Sequence, residues 1–87
     1  MTPMVRVRYW ASARAAAGRA EDLVHGESVA EVVAAARALH SDNPRFAAVL
    51  GVSSLLLGDM PLGLRDVEGV SVAEGDVLDV LPPFAGG

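Results

Sequence analysis

Ser28-Val29-Ala30-Glu31-Val32-Val33-Ala34-Ala35-Ala36-Arg37-Ala38-Leu39 reads as a helix with a defined start and one apolar side. Ser28 and Glu31 have the S-x-x-E spacing of a capping box, in which side chains satisfy backbone N–H groups of the first turn. Val29, Val32, Val33, Ala36 and Leu39 recur at helical spacing and form one stripe. Such a stripe must be covered, and the flanking segments show by what. Asn43-Pro44 is expected to stop the helix, because the residue before a proline is pushed out of the α region. Phe46, Val49 and Leu50 are expected to pack in a further turn.

Upstream, residues 4–10 alternate. Val5, Val7 and Tyr9 share one face, and Arg6, Arg8 and Trp10 share the other, the period of a strand with one buried face. Ser12 is expected to cap a short helix over residues 13–17 that Gly18 ends. Residues 21–25 read as a second strand, with Gly26 turning the chain. Downstream, residues 54–57 form a short apolar run, and Gly58-Asp59 suits a hairpin turn into Met60-Pro61-Leu62. Glu74-Gly75-Asp76 is another turn. Residues 77–81 read as the last strand, with Leu78 and Val80 opposite Val77, Asp79 and Leu81. Pro82-Pro83 ends it, since neither residue can donate to a ladder. One main helix packed across a small sheet buries both the stripe and one strand face, which is an α+β plan. The expected division is a folded domain over residues 1–81 and an extended tail over 82–87.

Composition removes whole classes of function. Eighty-seven residues suffice for one domain. The net charge of −4 argues against nucleic acid, which requires a basic surface. With no cysteine there is no disulfide, no thiolate catalysis and no Cys-ligated zinc. All seven basic residues are Arg, which excludes a Lys Schiff base or a phosphate-loop lysine. Arg6 and Arg8 interrupt the stretch before Ala11-Ser12-Ala13, so no secretory signal is expected there. No apolar run reaches the ~18 residues of a membrane helix. The expectation is a cytoplasmic protein with no membrane or nucleic-acid partner.

Internal candidates for chemistry fail one by one. Gly58 and Gly63 have phosphate-loop spacing, but Leu64-Arg65 stands where Lys-Ser/Thr is required. His25 and His40 lack partners at metal-ligand spacing, and a catalytic His needs an orienting neighbour. Asp66, Glu68, Glu74, Asp76 and Asp79 read as a solvated face and turn residues. Ser53-Ser54 has no nucleophile-elbow context. No metal site and no bound cofactor are expected.

The segment Leu81-Pro82-Pro83-Phe84-Ala85-Gly86-Gly87 is different. Pro82-Pro83 favours extended polyproline II, which projects the chain away from the sheet. Phe84 offers an apolar anchor. Gly86-Gly87 then supplies backbone without side chains, open to conformations closed to other residues. Seven extended residues reach up to roughly 25 Å, enough to thread a carboxylate into a partner's catalytic pocket. A glycine carboxylate has one obvious chemistry, activation by ATP to an acyl-adenylate that a nucleophile then opens.

The chain resembles the MoaD/ThiS family of ubiquitin-like sulfur carriers, and within it the molybdopterin synthase small-subunit (MoaD) group. The likeness lies in Val5-Arg6-Val7-Arg8-Tyr9-Trp10-Ala11 with Arg14-Ala15-Ala16-Ala17-Gly18, in the place of the Ser28 helix, and above all in residues 74–87 with their Pro-Pro-x-x-Gly-Gly end. Gly58-Asp59-Met60-Pro61 departs from the Asn-Gly type turn of many relatives. The resemblance implies a β-grasp fold with the helix across a mixed sheet. It implies that an E1-like adenylyltransferase, using ATP, activates the Gly87 carboxylate, and that a sulfur donor converts it to a thiocarboxylate. The tail, with Ala85 and Gly86 threaded, then enters the large subunit of molybdopterin synthase. There sulfur passes to cyclic pyranopterin monophosphate in molybdenum cofactor biosynthesis. On this reading the chain is a non-catalytic, sulfur-donating subunit of a hetero-oligomer, and the catalytic groups sit on the large subunit. Phe84, Pro83, Pro82, Trp10 and Arg8 are the expected docking residues. The Gly-Gly end equally suits a carrier for thiamine thiazole or cysteine biosynthesis, a ubiquitin-like modifier joined to target lysines, or an interaction domain with an inert tail.

Overall fold

The computed structural model describes residues 1–63 and 67–83. Strand β1 (Met4–Tyr9) leads through helix α1 (Ala11–Ala17) to β2 (Glu21–His25). Helices α2 (Val29–Leu39) and α3 (Pro44–Val52) follow, then β3 (Ser54–Leu57), β4 (Met60–Pro61), a 3-10 turn (Val67–Gly69) and β5 (Val77–Leu81). The strands form one sheet in the order β2-β1-β5-β3-β4. β1 and β5 run parallel, and the other neighbours are antiparallel. The expected mixed sheet with a helix across it is present.

The alternation along β1 sets the layers. Val5, Val7 and Tyr9 are buried under the helices with Leu78 and Val80 of β5. Val29, Val32 and Ala36 of α2 are fully buried against them, and Phe46 and Leu50 of α3 close one end. Ser28 accepts a hydrogen bond from the Glu31 N–H at 3.2 Å, as the capping box requires. Glu31 returns the bond one residue further out, accepting from the Glu27 N–H at 3.0 Å. Gly18 closes α1 at φ 76°, and its N–H donates to the Arg14 carbonyl.

Four local expectations are corrected. β1 stops at Tyr9, and Trp10 leaves the strand to become the N-cap of α1, in extended conformation and without a side-chain cap bond. Ser12 therefore lies inside α1 instead of capping it; the first turn is set by the Trp10 carbonyl, which accepts from the N–H groups of Ala13 and Arg14. Leu39 is exposed, and His40 takes the buried position one turn beyond Ala36. Asn43-Pro44 does not end α2, which His40 has already closed. It begins α3, a full helix of nine residues and not a single turn. Asn43 Oδ1 accepts from the Phe46 N–H at 3.0 Å while its Nδ2 donates to the Ala16 carbonyl at 2.8 Å. Pro44 sits where a helix needs no N–H, so the pair that forbids continuing one helix is well made to start the next.

Two substitutions test this frame. A Cβ on Gly26 would lie 2.9 Å from the Val32 backbone nitrogen, so Gly26→Ala forces β2 and α2 apart. Asn43→Ala removes the α3 cap and leaves the Ala16 carbonyl without its donor. Each lowers unfolding free energy by about 1–2 kcal/mol, read as a lower urea midpoint at constant m-value.

Candidate functional site

The tail leaves from the middle of the sheet. β5 pairs with β1 through Tyr9↔Val80 on one side and with β3 through Ser54↔Leu81 on the other. Its final residue, Leu81, and the following Pro82 are half-buried, and Pro83 is exposed. The root of the tail is thus fixed by two neighbouring strands up to the residue where proline ends the ladder. Phe84, Ala85, Gly86 and Gly87, the residues expected to anchor, thread and react, lie outside the described residues.

Beside this root, Arg8, Trp10 and Asp79 form one knot on the sheet face away from the helices. Arg8 and Asp79 are paired in the β1–β5 register. The guanidinium grips the carboxylate with both ends, Nε to Oδ1 at 2.7 Å and Nη2 to Oδ2 at 3.1 Å. The Trp10 indole N–H donates to Oδ1 at 2.8 Å. The Arg8 guanidinium carbon stands 5.6 Å from the Trp10 ring centroid, within cation–π range. Trp10 is tied to β5 a second time, its backbone N–H donating to the Val80 carbonyl at 3.2 Å. The hydrogen bond from Arg8 holds the Asp79 carboxyl below its ordinary value against the opposing effect of burial, with the Trp10 N–H assisting. The structure therefore brings Arg8, Trp10 and Pro82 to one region, with Trp10 46% exposed and locked in place.

Asp79 corrects the reading of a solvated acidic face. It is only 5% exposed, because Arg8 and Trp10 roof it. Glu74 and Asp76 do serve their turn, accepting from the N–H groups of Met4 and Ala73.

On the opposite face, Asp22, His40 and Tyr9 meet. Asp22 Oδ2 accepts from the Tyr9 hydroxyl at 2.7 Å and lies 2.8 Å from His40 Nε2. Arg19 Nε reaches Asp22 Oδ1 at 3.0 Å. His40 stacks on Phe46, ring centroids 4.2 Å apart, and Tyr9 meets both rings edge-on. Burial, reinforced by the bond to Asp22, pushes the Tyr9 hydroxyl pKa up. His40 thus has the orienting neighbour that sequence spacing did not show. It is only 6% exposed, and the network ties β1, β2, α2 and α3 together. The signal was parity: Asp22 shares the inward face of β2 with Val24, and His40 lies one helical turn past Ala36.

Among the described residues no three His, Cys, Asp or Glu side chains gather to hold a metal. The groove between α2 and α3, about 540 Å³ and open to solvent, is lined by Ala34, Ala38, Pro44 and Ala47 together with Arg37 and the polar residues of the loop from His40 to Asn43. No helix among the described residues is long and apolar enough to cross a membrane. The described residues hold no enclosed reaction chamber, only a rigid platform at the base of a tail. Asp79→Asn tests that platform. Because the folded-state carboxyl pKa is lowered, the carboxylate stabilises the protein above its ordinary value of 3.8 and ceases to as pH falls through the folded value. The stability gap between the protein and the variant is therefore full at neutral pH and closes in acid. Fluorescence of the single Trp reports the same loosening as a red shift at neutral pH.

The chain matches no protein-family model and no curated protein sequence. Solved structures do share its arrangement. Small archaeal modifier protein 1 from Methanosarcina acetivorans superposes with a TM-score of 0.76 at 24% identity, over 100% of this chain and 99% of that one. The same modifier from Haloferax volcanii gives 0.75 at 21% identity, over 97% and 99%. A chain in the complex of subunits 1 and 2 of molybdopterin-converting factor from Helicobacter pylori gives 0.66 at 24% identity, over 97% and 99%. With its five-stranded mixed sheet and overlying helices, the chain has the ubiquitin-like β-grasp fold of these small modifier and molybdopterin-converting-factor proteins.

Proposed function

We propose that this protein is a sulfur carrier of the ubiquitin-like type, with Gly87 as its reactive residue. The observation that carries the reading is the placement of Gly86-Gly87 just beyond Pro82-Pro83, on a strand held in the centre of the sheet. A rigid root followed by proline and then glycine presents a carboxylate at a distance from the domain without crowding it. The Gly87 carboxylate attacks the α-phosphate of ATP on an E1-like adenylyltransferase and displaces pyrophosphate. Hydrosulfide delivered by a sulfur donor then attacks the acyl-adenylate carbonyl and displaces AMP, leaving a thiocarboxylate. In the molybdopterin reading, the large synthase subunit receives the tail, with Gly86 and Ala85 threaded, and sulfur passes to cyclic pyranopterin monophosphate. The fold likeness to a chain from the complex of molybdopterin-converting factor subunits supports this choice of pathway.

Docking falls to Phe84, Pro83, Pro82 and the Arg8–Trp10 platform. An exposed indole held by its own N–H on Asp79, on a residue whose backbone N–H is bound to Val80, loses little entropy when covered, which suits it to an interface. Trp10→Ala is expected to weaken binding to the large subunit about tenfold or more, measured by titration calorimetry, without preventing adenylation. Intact mass spectrometry after incubation with ATP, the activating enzyme and sulfide should show one oxygen replaced by sulfur, localised to Gly87. Deletion of Gly86-Gly87 should abolish the exchange. No exchange with any such enzyme would sink the carrier reading.

A second reading is conjugation of Gly87 to lysine amines of other proteins. The higher structural agreement with the two small archaeal modifier proteins favours it. Both readings share the adenylate and part at the nucleophile, sulfide in one and an amine in the other. Gly-Gly remnants on lysines after proteolysis of cell extracts would select the second.

A further inference from the structure

The two edges of the sheet are unequal. β4 is two residues long, and an edge so short offers little to pair with. β2 is five residues long and carries Leu23, 56% exposed, at its centre. The ladder with β1 fixes which backbone groups point outward. Tyr9 N–H donates to the Ala20 carbonyl, and Gly26 N–H donates to the Pro3 carbonyl. In an antiparallel pair hydrogen-bonded positions alternate, so Asp22 and Val24 also bond to β1. Glu21, Leu23 and His25 therefore direct their N–H and C=O groups away from the sheet. Their side chains all lie on the face away from the helices.

We propose that β2 pairs antiparallel with β2 of a second copy of this chain, centred on Leu23 against Leu23. This register is self-complementary under two-fold symmetry. Each Leu23 covers the other, and each Glu21 faces the partner copy's His25, a carboxylate acceptor against an imidazole donor. All three outward positions become hydrogen-bonded pairs, and the two sheets join into one of ten strands. A one-residue slip would set Leu23 against a residue of the opposite face and leave the outward N–H groups without acceptors. Arg6 of β1 holds Glu21 at 3.0 Å on the same face. The paired strands are short, so the dimer is weak and forms at high protein concentration. β5 stands two places in from this edge, so it takes no part in the pairing.

Sedimentation velocity over a dilution series, with amide exchange followed residue by residue, tests the proposal. The expected result is a reversible monomer–dimer equilibrium in which the Leu23 and His25 amides gain protection as concentration rises. Leu23→Lys should abolish the dimer. His25→Glu sets like charges opposite each other twice and should weaken it about tenfold, whereas His25→Lys should preserve or tighten it. His25 is exposed, so circular dichroism of both His25 variants should be unchanged. A protein monomeric at millimolar concentration overturns the proposal. So does a dimer indifferent to Leu23→Lys, or protection at β2 that arises only with an added extended peptide.

Discussion

The parallel pairing of β1 with β5 is the constraint on which the rest depends. It places a strand from near the start of the chain and a strand from near its end side by side in the middle of one sheet. Everything between them, residues 10–76, must leave and return, and that length holds α1, β2, α2, α3 and the β3–β4 hairpin. The Tyr9↔Val80 end of this pairing also decides where function can sit. There β1 gives way to Trp10 and β5 gives way to Pro82, so the platform and the tail share one root.

Among the described residues, each face of the sheet carries one buried carboxylate, and each is satisfied. Asp79 on the open face is gripped by Arg8 and Trp10; Asp22 on the helical face is gripped by Tyr9, His40 and Arg19. Buried charges without partners are costly, so both arrangements constrain their neighbours. They do so with different consequences. The Asp22 network is sealed beneath aromatic rings and fixes how helices meet strands. The Asp79 network is roofed only by side chains that themselves face solvent, and it holds an exposed indole in place. Similar chemistry is sealed in the core or left at the surface according to what covers it.

In the proposed reading, function is borne by a chain segment that another protein acts on. The sheet holds the strand at the base of that segment, β5, between β1 and β3. A fixed base lowers the ordering cost of binding, which in that reading favours entry of the end into a narrow pocket.

Much was legible from the residues alone. The Ser28–Glu31 box and the Val29, Val32, Ala36 spacing gave the main helix, since capping and amphipathicity are local. The alternation of residues 4–10 and 77–81 marked two strands, the first one residue too long, because period two is a property of the strand itself. The proposal of a reactive segment at the glycine pair beyond Pro82-Pro83 rests on local chemistry alone, because the conformational freedom of glycine needs no tertiary context. What the tertiary structure decided was pairing. Strand order could not be read, since nothing local in β5 names β1 as its neighbour. Asp79 passed for a surface acid and His40 for a residue without a partner, because Arg8 and Asp22 lie 71 and 18 positions away in sequence. Asn43-Pro44 passed for the end of one helix when it begins another, because the same backbone restriction serves either use and only the packing of Phe46 and the acceptor on Ala16 choose between them. Local chemistry determined the elements; long-range contact decided which polar groups were buried and which side of the sheet was left without helices.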